Sequence, residues 1–128
     1  MAALTNYSAN SLLKHILRLA AFTQPAGLYI GLFLVAPTKS YAGVEVSGNG
    51  YAREAVTFLE TPNNIFVNTA DLYFEATGGS WGNILGIGIF DASTSGNLLF
   101  FGTPRDLITV GTNEILKLPA NVIGVTLN

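Results

Sequence analysis

From Leu28 onward the chain is cut into short runs of Val, Ile, Leu, Phe, Tyr and Thr by clusters of Gly, Pro, Asn and Ser. No run is long enough for a packed helix, and the breakers recur at hairpin spacing, so this stretch is restricted to antiparallel β-structure. The expected strands are 28–36, 51–59, 66–70, 72–76, 84–91, 97–102, 107–110, 114–118 and 122–127. Alternation is clearest in the last of these, where Ile123, Val125 and Leu127 share one face. Many short antiparallel strands remove their open edges most simply as a two-sheet sandwich or a barrel, so the expected fold is mainly β.

One segment breaks the pattern. Leu12, Leu13, Ile16, Leu17 and Ala20 recur at helical spacing, with Lys14, His15 and Arg18 grouped on the other side. Pro25-Ala26-Gly27 ends the periodicity, which predicts a helix over residues 8–22 with Ser8 as N-cap. At 128 residues the chain is expected to form one domain, residues 1–128, with the helix over 8–22 and β-structure over 28–128. Two polar loops, 37–50 and 61–64, interrupt the strands. Coiled-coil heptads, collagen-like triplets and internal repeats are absent from the sequence.

Composition restricts function more than it identifies it. Charged residues make up 11% of the chain, against roughly 25% in soluble proteins generally. Such a surface suits a protein covered by neighbouring subunits, a homo-oligomer; a surface of uncharged Asn, Ser, Thr and Gly is the alternative. The net charge of −2 and six scattered basic residues leave no footprint for nucleic acid. The longest apolar run, Leu28 to Ala36, is nine residues, too short to cross a bilayer, so no membrane association is expected. Without cysteine there is no disulfide and no thiolate metal site.

No reaction is legible. His15 is the single histidine and lies on the polar side of the helix, and no Gly-x-Ser-x-Gly elbow accompanies it. Asp71, Glu75 and Asp91 could supply a carboxylate pair or a calcium site, but their spacing does not select one. Asp91 reads better as the start of a turn over Phe90 to Asn97. Gly86-Ile87-Gly88 lacks the third glycine and the helix of a dinucleotide site. No cofactor, no metal and no enzymatic activity are expected. Of the aromatic residues, Tyr51, Tyr73 and Trp81 could stack on sugar, although core and subunit contacts use such residues more often.

Several blocks resemble a known group. Leu4-Thr5-Asn6-Tyr7-Ser8-Ala9-Asn10-Ser11-Leu12-Leu13 is followed by Pro25-Ala26-Gly27-Leu28-Tyr29-Ile30-Gly31-Leu32-Phe33. Then come Glu45-Val46-Ser47-Gly48-Asn49-Gly50-Tyr51-Ala52-Arg53-Glu54-Ala55-Val56-Thr57-Phe58, Trp81-Gly82 and Ile87-Gly88-Ile89-Phe90-Asp91-Ala92. In this order they are similar to a family of small tailed-bacteriophage virion proteins, often labelled phage structural or tail fibre proteins. The resemblance implies a virion component made in the bacterial host cytoplasm, and it carries no catalytic residue with it. Because fibre-forming repeats are missing, the expected role is a capsid decoration protein bound to the major capsid protein. A tail fibre or baseplate component, docked on other tail proteins, is the structural alternative, and a glycan-binding module using Tyr51, Tyr73 and Trp81 the other. Lys14, His15 and Arg18 on the helix and Arg53 beside the Gly-rich loop are the expected docking residues.

Overall fold

A computed structural model describes residues 3–126. The chain is mainly β, with one helix among the described residues, and every strand pairing is antiparallel. The elements in order are β1 (Ala3–Leu4), α1 (Asn6–Ile16), β2 (Leu28–Val35), β3 (Val44–Glu45), β4 (Glu54–Val56), β5 (Phe58–Glu60) and β6 (Phe66–Asn68). They continue with β7 (Leu72–Glu75), β8 (Gly82–Ile84), β9 (Gly86–Phe90), β10 (Leu98–Gly102), β11 (Ile108–Val110), β12 (Ile115–Leu118) and β13 (Gly124–Val125). The largest sheet has the order β1-β10-β9-β2-β3, with β4 also on β2. The others are β13-β6-β5, β12-β7 and β11-β8, and among the described residues no sheet closes into a barrel.

Strand β2 is the spine. Its alternation sends Ile30 and Leu32 into a core with Phe74, Trp81, Ile84 and Val110, all buried. The opposite face carries Gly31 and Phe33, and there Phe33 stacks on Phe90 at 5.8 Å and 14°.

Two expected strands are each divided, for the same reason. The run 51–59 pairs with β2 up to Val56, then with β6 from Phe58, so the chain changes sheet at Thr57. The run 84–91 pairs with β11 as far as Ile84 and with β2 from Gly86, changing sheet at Leu85. Strands that switch sheets form the corners of a layered β-fold, and apolar content alone does not mark the switch. Strands β1 and β3 were not expected; β3 lies within the predicted 37–50 loop. Leu127, expected on the last strand, lies outside the described residues.

The helix differs from expectation at both ends. Pairing of Leu4 with Phe100 keeps the chain extended up to Thr5, which is the N-cap instead of Ser8. Thr5 Oγ1 accepts from the Ser8 amide at 3.2 Å. Ser8 is buried inside the first turn, its hydroxyl donating to the Leu99 carbonyl at 2.8 Å. The helix stops at Ile16, short of the expected residue 22. Arg18 takes φ 65°, while the Leu19 amide donates to the Lys14 carbonyl and the Arg18 amide to that of His15. This is a Schellman end with arginine where glycine is usual, so the sequence gives no stop signal there.

Candidate functional site

The densest polar cluster lies on the Phe33–Phe90 face of β2. Arg53 Nε and Nη2 donate to Glu45 Oε2 and Oε1 at 2.8 and 2.9 Å, a two-pronged ion pair. Arg53 Nη1 donates to the carbonyls of Ala92 and Ser95 at 2.8 and 2.7 Å. The guanidinium carbon sits 3.4 Å over the Phe90 ring. Gly31 makes room for this stack, because a Cβ there would lie 2.7 Å from Phe90 and 2.9 Å from a Glu45 oxygen. With its side chain only 8% exposed, Arg53 clamps β3, β4 and the 91–97 loop together. Burial and internal bonding leave it little to offer a partner as an expected docking residue.

Tyr51 extends the cluster. Its hydroxyl donates to Glu45 Oε2 at 2.6 Å and accepts from the Leu32 amide at 2.9 Å. Burial first, then the bond to the Glu45 carboxylate, pushes the phenol well above its ordinary value of 10.0. The folded chain therefore holds this proton where the unfolded chain loses it. Stability from Tyr51 is complete below pH 10.0 and falls as pH rises past that value. The urea midpoint should drop in that range, and Tyr51→Phe should flatten the drop; an equally steep profile in the variant would exclude this origin.

Tyr51 meets Trp81 edge to face, at 5.4 Å and 86°. Trp81 is 6% exposed, and its Nε1 donates to the Asn49 carbonyl at 3.1 Å. These two rings tie the Gly-rich loop to the core, so a sugar platform of Tyr51, Tyr73 and Trp81 is not assembled. Only Tyr73, 53% exposed, presents its ring.

The carboxylates considered for chemistry have local partners. Asp91 accepts from the Asn97 amide at 2.7 Å and from its side-chain Nδ2 at 3.1 Å, closing its own turn. Asp71 accepts from the Ala120 amide at 2.8 Å and pairs with Lys117 at 3.5 Å. The Ala120 bond, helped by Lys117, holds its carboxyl below the usual carboxylate value. Glu75 stands across from Ile115. Among the described residues no group of three or more His, Asp or Glu could hold a metal.

The exposed features are apolar and basic. Hydrogen bonds from Thr5 and Ser8 to Leu98 and Leu99 anchor the first turn of α1, and Ser11 and Leu12 are still half-buried. Beyond them Leu13, Ile16, Leu17 and Leu19 are 57, 70, 64 and 76% exposed, beside the exposed Lys14, His15 and Arg18. His15 Nδ1 accepts from the Phe22 amide at 3.1 Å and so folds the following turn back on the helix. Residues 1–44 contain Lys14, Arg18 and Lys39 and none of the eight carboxylates. A second feature is an open recess of about 860 Å³ between β9–β10 and β12–β13, floored by Ile87, Ile89, Phe100, Leu118 and Ile123. It adjoins another of about 470 Å³ that shares Ile89 and Phe100. Sequence reasoning missed both: an amphipathic stripe predicts burial, and no pattern marks where a core is left uncovered.

A family model described as Podophage GP4 fiber I protein gp80 matches residues 3–126. No curated protein matches the chain.

Proposed function

Because the chain belongs to the Podophage GP4 fiber I protein gp80 family, a family of phage virion structural proteins, we propose that it is a tail-fibre component. The observation that carries this reading is the family match over residues 3–126. Capsid decoration, expected because fibre-forming repeats are absent, receives no support from a fibre family. Reach can instead come from contacts between copies and with other virion proteins. The whole chain acts as one domain, made in the bacterial host cytoplasm and built into the particle, and it performs no reaction. The glycan-binding alternative gains no observation in its favour, since Tyr51 and Trp81 turn inward.

Lys14, His15 and Arg18 are the docking set in this reading, facing an anionic surface on a neighbouring virion protein. Deleting residues 1–22 would test this poorly, because it also removes the buried Thr5 and Ser8. Lys14→Glu combined with Arg18→Glu changes only exposed side chains and should leave thermal unfolding within about 0.5 kcal/mol of the parent. Incorporation into particles, measured by quantitative mass spectrometry, should fall severalfold. Unchanged incorporation would remove these residues from the docking role. A particle reconstruction tests the larger claim: density for this chain on the tail at low copy number is expected, and abundant density over the head would overturn it.

A further inference from the structure

Among the described residues, the chain carries an apolar projection without a partner and an open recess whose apolar wall is edged by Thr103, Arg105, Asp106 and Asn121. We propose that the end of α1 and the turn after it, residues 13–19, dock into the β9–β10/β12–β13 recess of a second copy. The side chains that enter are Leu13, Ile16, Leu17 and Leu19, which the described residues leave exposed. The receiving wall is Ile87, Phe100 and Ile123, with Val122, 57% exposed, at its edge.

Charge selects the second copy over the simpler pairing of two helices. Arm against arm would juxtapose two sets of Lys14, His15 and Arg18 with no carboxylate in residues 1–44 to separate them. Arm against body brings that acid-free segment to the remainder of the chain, where Arg53, Arg105 and Lys117 are outnumbered by eight carboxylates. Asp106 lies at the recess itself, beside Arg105. The contact joins two different surfaces, so it is head-to-tail, and successive copies either close a ring or continue as a file. Burying the leucine and isoleucine side chains in the recess, with the cations of α1 at its rim or outside it, uses both sides of the amphipathic arm.

The absence of cysteine makes the test direct. Full-length chains carrying Leu17→Cys and, separately, Val122→Cys bear different tags, are mixed, and are bridged with a short bis-maleimide. The expected product is the mixed-tag dimer in excess of both same-tag dimers. Only Leu17–Leu17 products, or no product, would overturn the inference. Sedimentation velocity gives an independent reading: Leu17→Asp, at an exposed position, should weaken self-association about tenfold or more, while its unfolding midpoint, measured at a dilution where the parent is monomeric, stays that of the parent. A wild-type chain that sediments as a monomer at its highest soluble concentration also overturns it. Tail fibre assignment and this contact fail separately. Absence from the tail sinks the first alone, and presence there without the mixed product sinks the second alone.

Discussion

Arg53→Ala is expected to cost about 3 to 5 kcal/mol of folding stability, the range for breaking a buried ion pair by removing one partner. The substitution leaves the Glu45 carboxylate, 23% exposed at its side chain, against the Tyr51 hydroxyl without its counter-ion. It also releases the Ala92 and Ser95 carbonyls and uncovers the Phe90 ring. Arg53→Lys should recover less than half of the loss. One ammonium cannot make a two-pronged pair, reach two carbonyls and lie flat on a ring. Trp81 is the single tryptophan and packs on Tyr51, so its fluorescence in a urea titration reports from within the cluster. A loss under about 1 kcal/mol, the scale of an exposed pair, would show that the clamp is not structural.

Asn68→Leu should be comparably damaging, and its damage should be local. Asn68 is fully buried, and its side chain makes four hydrogen bonds. Nδ2 donates to the carbonyls of Ala70 and Pro119, and Oδ1 accepts from the amides of Val122 and Ile123. One carboxamide thereby fixes the turn that delivers β13 to β6. Leucine has a similar size and none of the bonds, which orphans two amides and two carbonyls. At about 1 to 3 kcal/mol for each group left buried, less where water can enter, a total near 4 kcal/mol is expected. Hydrogen exchange should show the Val122 and Ile123 amides losing protection well before the Ile30 and Leu32 amides of β2. Retained protection at Val122 and Ile123 would show that the clamp is dispensable.

These two residues mark different degrees of legibility. Arg53 attracted attention in the sequence as a cation beside a Gly-rich loop, and its type suggested an outward role. Glu45 lies eight residues before Arg53, but Ala92 and Ser95 lie 39 and 42 residues after it, and nothing local encodes that all three converge on one guanidinium. Asn68 offered a weak signal, a polar residue ending the apolar run Phe66-Val67, where asparagine is disfavoured in a strand. An asparagine in that position has either water or backbone to satisfy it, and here the backbone comes from Pro119, Val122 and Ile123.

The helix shows the same division. Periodicity located it, and Pro25 and Gly27 bounded it from the far side. Its true start depends on β1 pairing with β10, and its true end on a left-handed Arg18, so both ends moved toward the amino terminus. The amphipathic stripe was legible; that the described residues would leave its apolar side uncovered was not.

What the sequence determined by itself was the class of structure: short apolar runs between Gly, Pro and Asn breakers permit antiparallel β and little else, and one period of 3.6 permits one helix. It also carried the blocks whose order resembles phage virion proteins, in agreement with the family match. Only the tertiary structure decided where strands change sheet at Thr57 and Leu85, which charges are spent internally, and which apolar surface stays uncovered. Local periodicity specifies which side of an element is apolar. What covers that side depends on segments distant in the chain, and their meeting is a property of the assembled layers.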